Sequence, residues 1–158
     1  MKDTAKLYIQ RAENEFVVAQ MLFNISADER LQREQFKLEK DFTFYSSAIS
    51  HSYYCIFYSA RAILEENNIK VESREIHKKT LIAFQNNLVR TGKLDVKLLQ
   101  IYKKIVIRAD ELLGILSAEK RKRGEFTYQK LPQANKEPAD ESIANASVFF
   151  KTINRILK

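Results

Sequence analysis

The stretch AISHSYYCIFYSARAIL, residues 48–64, carries the strongest structural signal in this chain of 158 residues. Its apolar side chains recur every three or four positions, which predicts a helix with one buried face, within a helical segment from about Phe42 to Asn68. The apolar row consists of Ile49, Tyr53, Ile56, Ala60 and Ile63. A second row, rotated from the first, consists of Ser47, His51, Tyr54, Tyr58, Arg61 and Glu65.

Two environments are expected around a helix that has one apolar row and one aromatic-polar row. The first is the domain core. The second is either a partner subunit or a groove, where tyrosine combines apolar area with a polar tip. The plainer alternative is a central helix whose tyrosine hydroxyls reach the edge of the domain. His51, Tyr54, Tyr58 and Arg61 are therefore candidate interface or accessory residues.

Further segments with the helical period complete a bundle of about five helices. They are Asp3–Phe23, Ser73–Arg90 with Ser73 as its N-cap, Asp95 to a break at Gly124 with Asp95 as its cap, and a last helix with Pro138 in its first turn. Gly92 stands where a C-cap glycine belongs. The charged segment Ser26–Asp41 is predicted as a solvated linker or a frayed helix extension. Short connections imply antiparallel neighbours, so we expect an all-α, up-and-down bundle that forms a single domain over residues 1–158.

The composition supports this fold and excludes some kinds of functional site. The chain has 3 glycines and 2 prolines, too few for an all-β protein with many tight turns. One cysteine, Cys55, excludes an intrachain disulfide, and one thiol with two histidines cannot build the usual zinc site. We therefore expect no metal and no cofactor. Since no apolar run approaches about 20 residues and no signal-peptide core is present, we expect a cytoplasmic protein without membrane contact.

The net charge of +7, from 27 basic and 20 acidic side chains, favours an anionic partner such as nucleic acid, nucleotide or acidic protein. Charge is dense in residues 120–130, which we call the basic segment. Arginine can hold a phosphate through two hydrogen bonds, and tyrosine can stack on a base. Part of the charge in the basic segment has a structural explanation, because cations stabilise the carboxyl end of a helix. The predicted nucleotide- or RNA-binding residues are Lys120, Arg121, Arg123, Tyr128 and Lys130.

The chain lacks the usual phosphate-loop, dinucleotide and zinc-hydrolase motifs. The two histidines, His51 and His77, are then the candidates for a general base. His77 falls on the apolar face of its helix, where a hydrogen-bonded core histidine is the commoner outcome. Because the sequence places neither histidine beside the basic segment, the catalytic residues remain unassigned.

Three parts of the chain resemble the HEPN domain family, whose name stands for higher eukaryote and prokaryote nucleotide-binding. Residues 48–64 look like the family's aromatic helix with paired tyrosines. Residues 77–79 followed by residues 88–95 look like its third-helix region, and residues 123–128 look like its helix end with an arginine and an aromatic residue. Together they cover roughly residues 45–130 in the family's order and spacing.

The resemblance implies a helical bundle, commonly homodimeric, and often encoded with a minimal nucleotidyltransferase in a toxin–antitoxin or defence pair. Active members are metal-independent ribonucleases in which a histidine follows an arginine by four to six residues. Here Tyr128 stands five residues after Arg123, and Phe126 stands five after Arg121. A phenol with a pKa near 10 is a poor base at neutral pH, so the sequence departs from the ribonuclease motif.

The leading hypothesis is a HEPN-like protein that binds nucleotide or RNA, partners a minimal nucleotidyltransferase and lacks the ribonuclease histidine. One alternative is an active metal-independent endoribonuclease toxin of a toxin–antitoxin pair, with His51 or His77 brought in across a homodimer interface. A further alternative is a non-catalytic dimerisation or assembly module built on the tyrosine row of residues 48–64.

Overall fold

The computed structural model describes residues 1–38, 42–72, 74–113 and 135–158. Within these ranges the chain forms α1 (Asp3–Ala27), α2 (Glu29–Glu34), α3 (Tyr45–Glu66), α4 (Ile76–Phe84), α5 (Val96–Leu113) and α6 (Lys136–Leu157). A π-helical turn, Gln85–Val89, follows α4 directly. No strand occurs in the described ranges, which confirms the predicted all-α class there.

α3 is the central helix and packs against α1, α4, α5 and α6. Its predicted apolar row is buried along its whole length, and Ile56 is 0% exposed. The buried hydroxyls of Ser52 and Ser59 each donate to the backbone carbonyl one turn earlier, at 2.8 Å. Because an unpaired buried hydroxyl would cost stability, these bonds allow α3 to be surrounded by other helices despite its serines.

Contacts between helix ends establish that α1 and α3 run antiparallel. The Lys2 N–H, just before α1, donates to the Glu66 carboxylate at the end of α3, at 2.8 Å. Near the other end of α1, the Ser26 hydroxyl accepts from the Phe44 N–H, just before α3, at 2.6 Å. The start of each helix therefore lies beside the end of the other.

The last two helices continue the alternation. Lys93, before α5, donates to the Asn67 side chain after α3 at 3.3 Å. Asn135, before α6, donates to Ser46 at the start of α3 at 2.8 Å, and Arg108 near the end of α5 donates to the carbonyl of Pro138 in α6 at 3.1 Å. α1, α3, α5 and α6 thus form the up-and-down bundle that the sequence predicts.

A cluster of three rings closes the bundle where α4, α5 and α6 meet. Phe84, Tyr102 and Phe149 are each 0% exposed. Their ring centroids lie 5.5 to 5.8 Å apart in tilted and edge-on arrangements. Such pairs contribute about 0.5–1.5 kcal/mol beyond their buried area. This part of the bundle is filled core.

Two helix boundaries differ from those that the sequence predicts. The charged segment Ser26–Asp41, predicted as a linker or a frayed helix extension, contains the end of α1 and the separate helix α2, and residues 39–41 of it lie outside the described residues. The N-cap of α2 is Asp28, whose carboxylate accepts from the Leu31 N–H at 3.0 Å, so local capping starts a helix that has little apolar period. The helix predicted to start at about Ser73 begins later, at Ile76, with Glu75 in the N-cap position, and Ser73 itself lies outside the described residues.

Other predicted helix ends are confirmed. Gly92 has a φ of +76°, the left-handed conformation that glycine adopts most readily, and its N–H donates to the Val89 carbonyl at 3.0 Å. The Asp95 carboxylate accepts from the Lys97 N–H at 2.8 Å at the start of α5. Pro138 lies in the first turn of α6.

The predicted continuation of the α5 helix to Gly124 lies outside the described residues. Among the helices that the structure does describe, none combines the length and the apolar content required to cross a bilayer.

Candidate functional site

An open groove of about 610 Å³ lies between α1, α3 and the segment that enters α4. We call it the aromatic groove, because tyrosine, phenylalanine, histidine and arginine make up most of its walls. Its volume is in the range of small-molecule sites. The aromatic groove is lined by Tyr8, Arg11, Tyr54, Phe57, Tyr58, Arg61, Val71, Glu72, Ile76 and His77.

The aromatic groove is a consequence of the antiparallel packing of α1 and α3. On α3, Tyr54, Tyr58 and Arg61 follow at steps of four and three, so they share one edge of the helix. On α1, Tyr8 and Arg11 stand three residues apart and also share an edge. The two edges meet, and the aromatic-polar row predicted for α3 supplies one wall of the groove.

Rings and guanidinium groups adjoin one another along this wall. The ring centroids of Tyr54 and Tyr58 are 6.3 Å apart, and those of Tyr58 and Tyr8 are 6.1 Å apart. The guanidinium carbon of Arg11 lies 5.7 Å from the Tyr58 ring centre, and that of Arg61 lies 5.0 Å from the Tyr8 ring centre. Both arginines are within the range of cation–π attraction.

Arg61 is a buried clamp, with 7% exposure. Its Nη1 donates to the Val71 carbonyl at 2.7 Å, and its Nη2 donates to the Tyr8 hydroxyl at 2.8 Å. Nη2 also lies 3.6 Å from the Glu65 carboxylate. Arg61 therefore ties α3 to α1 and to the segment before α4. Arg61, predicted as an interface or accessory residue, thus holds the walls of the groove together.

Arg11 differs from Arg61 in exposure and in partners. It is an exposed residue of α1, and among the described residues it has no carboxylate partner. Its contact with the Tyr58 ring positions the guanidinium at the groove, and no residue in the described part of the chain accepts a hydrogen bond from its N–H groups. Arg11 thus offers five donors to an incoming anion.

His77 is hydrogen-bonded to the core, as its position on the apolar face predicts. Its Nδ1 lies 2.7 Å from the Tyr53 hydroxyl, and its ring centroid lies 4.5 Å from that of Phe57. Burial lowers the pKa of His77 and raises the pKa of Tyr53. The Tyr53 hydroxyl is buried and has no second hydrogen-bond partner among the described residues, so we assign the phenol as the donor to Nδ1. This assignment places the ring proton of the neutral His77 on Nε2.

His51 lies outside the lining of the aromatic groove. Its Nδ1 is 2.5 Å from the Glu15 carboxylate of α1. The structure thus assigns the two histidines different surroundings, and no contact joins them among the described residues. Tyr54, three residues after His51 on α3, lines the groove, and its pKa is raised mainly by burial and further by Tyr58 and Glu15.

The predicted ligand-binding residues of the basic segment lie outside the described residues. They are Lys120, Arg121, Arg123, Tyr128 and Lys130. Among the described residues, no group of three or more His, Cys, Asp or Glu side chains is arranged to hold a metal ion. Cys55 is buried, and burial raises the pKa of its thiol.

Sequence reasoning missed the contribution of α1 to this site. Neither Tyr8 and Arg11, which line the groove, nor Glu15, which pairs with His51, was predicted, because the apolar period of α1 marks only its buried face. A signal was present: the three residues stand at steps of three and four, which puts them on one edge of α1 beside the buried face. Recognising it required the knowledge that α1 packs against α3.

Scans against protein-family models, curated proteins and solved structures found no match to this chain.

Proposed function

We propose that this chain is a HEPN-like helical protein that binds a nucleotide or RNA in the aromatic groove. The observation that carries the proposal is the run of tyrosine rings flanked by arginines on facing edges of α1 and α3. Stacking of a base on an aromatic side chain contributes about 1–3 kcal/mol, and it tolerates all bases. Arg11 supplies the charge for a phosphate.

The basic segment is the second part of the proposed binding surface. Its four basic contact residues would add phosphate-binding charge, and Tyr128 would add an aromatic ring. The net charge of +7 favours the approach of any polyanion. The proposal is binding without catalysis, because Tyr128 and Phe126 occupy the positions at which a ribonuclease of this family would carry histidine.

The test is a titration of fluorescently labelled single-stranded RNA with the purified protein, followed by fluorescence anisotropy. We expect Arg11→Ala to weaken binding about tenfold, which corresponds to about 1.4 kcal/mol. Arg155→Ala is the matched control, because Arg155 is an exposed arginine of α6 outside the groove and its loss changes the net charge equally. Equal affinities of the two variants would refute the groove as the binding site.

The role of the basic segment is tested separately with Arg121→Ala combined with Arg123→Ala. We expect the double variant to bind RNA more weakly and with a smaller salt dependence, because fewer counterions are released. Unchanged affinity for both RNA and nucleotides would remove the basic segment from the proposal. A divalent-free incubation with RNA is run alongside, and cleavage that depends on His51 or His77 would favour the ribonuclease alternative.

The proposal includes a homodimer or a complex with a minimal nucleotidyltransferase in the cytoplasm. What supports it is the family resemblance together with the partly exposed tyrosines of α3, Tyr54 and Tyr58. Light scattering after size exclusion measures the mass directly. A dimer that becomes monomeric in Tyr54→Glu, with helical content retained, would assign the tyrosine row to assembly in place of ligand binding.

A further inference from the structure

The charges around the aromatic groove limit what it can hold. Two arginines and one glutamate, Glu72, line it. Arg61 already faces Glu65 and gives its donors to protein oxygens, so Arg11 is the lining cation whose donors are free among the described residues. One free guanidinium matches one phosphate. A triphosphate would bring several negative charges to a groove that also contains a carboxylate, which costs binding energy.

The second recognition element is the imidazole of His77. Tyr53 occupies Nδ1 from the core side, which leaves Nε2 as the remaining polar atom of a ring that lines the groove. With Nδ1 assigned as the acceptor of the hydrogen bond from the Tyr53 phenol, the proton of the neutral ring lies on Nε2, which can then only donate. The contact with Phe57, at 4.5 Å between ring centroids, helps to fix the orientation of the imidazole.

We infer that the aromatic groove binds a nucleotide unit with a single phosphate, which contacts Arg11, while the base accepts a hydrogen bond from His77 Nε2–H. This inference rests on the proposed function and specifies its ligand. Adenine, cytosine, guanine and uracil all offer ring-nitrogen or carbonyl acceptors, so the contact selects for a base without dictating which one. The tyrosines supply apolar contact along the length of the unit.

The ligand class is tested by calorimetric titration of the full chain with adenosine, AMP, ATP and inorganic phosphate. We expect AMP to bind about tenfold more tightly than adenosine, ATP to bind no more tightly than AMP, and phosphate alone not to bind measurably. Tighter binding of ATP than of AMP would overturn the single-phosphate inference. A single-stranded oligoribonucleotide is titrated in the same way. If the oligoribonucleotide binds and AMP does not, the nucleotide that occupies the groove belongs to an RNA chain. If AMP binds, the groove accepts a free nucleotide.

Two substitutions separate recognition by His77 from its structural bond to Tyr53. The amide nitrogen of glutamine can occupy the place of Nε2, whereas the amide of asparagine can occupy the place of Nδ1. His77→Gln therefore keeps the groove donor and loses the partner of Tyr53, and His77→Asn does the reverse. We expect His77→Gln to bind within about twofold of wild type and His77→Asn to bind about tenfold more weakly. If His77→Asn binds more tightly than His77→Gln, then His77 affects binding only through its hydrogen bond to Tyr53, and the inference is overturned.

Failure of this inference and failure of the proposed function give different results. If the wild-type chain binds neither RNA nor any nucleotide, the proposed function is wrong. If Arg11→Ala binds RNA more weakly than Arg155→Ala does, the proposed function stands. If, in addition, ATP binds more tightly than AMP, or His77→Asn binds as well as wild type with unchanged thermal unfolding, then only the ligand assignment in the groove is wrong. Thermal unfolding of each variant, measured with the same samples, identifies loss of folding.

Discussion

Tyr53 and Tyr54 are neighbours in the sequence, yet they belong to two different regions of the molecule. Tyr53 is 1% exposed and donates its hydroxyl to His77 from the core, whereas Tyr54 is partly exposed and lines the aromatic groove. The same contrast separates the arginines, since Arg61 is a buried clamp and Arg11 is an exposed cation. Residue type alone therefore does not assign a role. The face of the helix and the helix packed against it do.

The largest expected effect is a loss of stability on the core face of α3. Ile56→Ala removes a fully buried side chain from the centre of the bundle, which we expect to lower the free energy of unfolding by about 2–5 kcal/mol. Tyr58→Ala, on the groove face, is expected to cost only about 1 kcal/mol while it weakens RNA binding. Chemical denaturation measures the free energy of unfolding of both variants. If Ile56→Ala and Tyr58→Ala lower it equally, the distinction between the core face and the groove face of α3 is wrong.

The clamp arginine is expected to have the next largest effect. Arg61→Ala deprives the Tyr8 hydroxyl and the Val71 carbonyl of their donor, and we expect a loss of about 2–3 kcal/mol. Arg11→Ala should change stability by less than about 0.5 kcal/mol, because Arg11 is exposed. If Arg11→Ala destabilises as strongly as Arg61→Ala does, the assignment of one arginine to structure and the other to binding is wrong.

Two buried tyrosines should respond to loss of the hydroxyl in opposite directions. Tyr53→Phe removes the donor to His77 and is expected to cost about 1 kcal/mol. The Tyr102 hydroxyl is buried without a hydrogen-bond partner among the described residues. We expect Tyr102→Phe to be neutral or to stabilise by up to about 1 kcal/mol. A cost for Tyr102→Phe as large as that for Tyr53→Phe would reveal a hydrogen-bond partner for the Tyr102 hydroxyl.

The smallest expected effect is a pH dependence that originates at His77. Burial lowers the pKa of His77 in the folded state below its ordinary value of 6.5, so the unfolded chain binds the proton more readily. The contribution of neutral His77 to the free energy of unfolding is fully present above pH 6.5 and is lost as the pH falls through the folded-state pKa. Between about pH 7.5 and 5.5 we expect the wild type to lose more stability than His77→Gln, as measured by denaturation at each pH. Parallel curves would mean that the pKa of His77 is not lowered.

Much of the fold could be predicted from residue spacing. The apolar rows predicted the long helices, and glycine, aspartate and proline marked helix ends at Gly92, Asp95 and Pro138. α2 could not be predicted in this way, because a cap at Asp28 and a side-chain bond from Gln32 to the Ile25 carbonyl, at 2.7 Å, stabilise it without an apolar row.

The candidate site was only half predictable. The row of residues on α3 was visible as a periodic pattern, and the hydrogen-bonded state of His77 followed from its apolar position. Tyr8 and Arg11 were not identified, because their importance depends on which helix packs against α1, a long-range property that local periodicity does not contain. The structural role of Arg61 was not predictable for the same reason, since its partners Tyr8 and Val71 belong to other parts of the chain.

The central claim, that the aromatic groove is a nucleotide site, is tested most directly by nuclear magnetic resonance. Single-stranded RNA or AMP is added to the isotope-labelled chain, and the backbone amide and imidazole signals are followed. We predict that the shifts concentrate on Tyr8, Arg11, Tyr58 and His77, while Val148 and Arg155 on α6 stay unchanged. Saturating ligand that leaves the groove signals unmoved would contradict the claim.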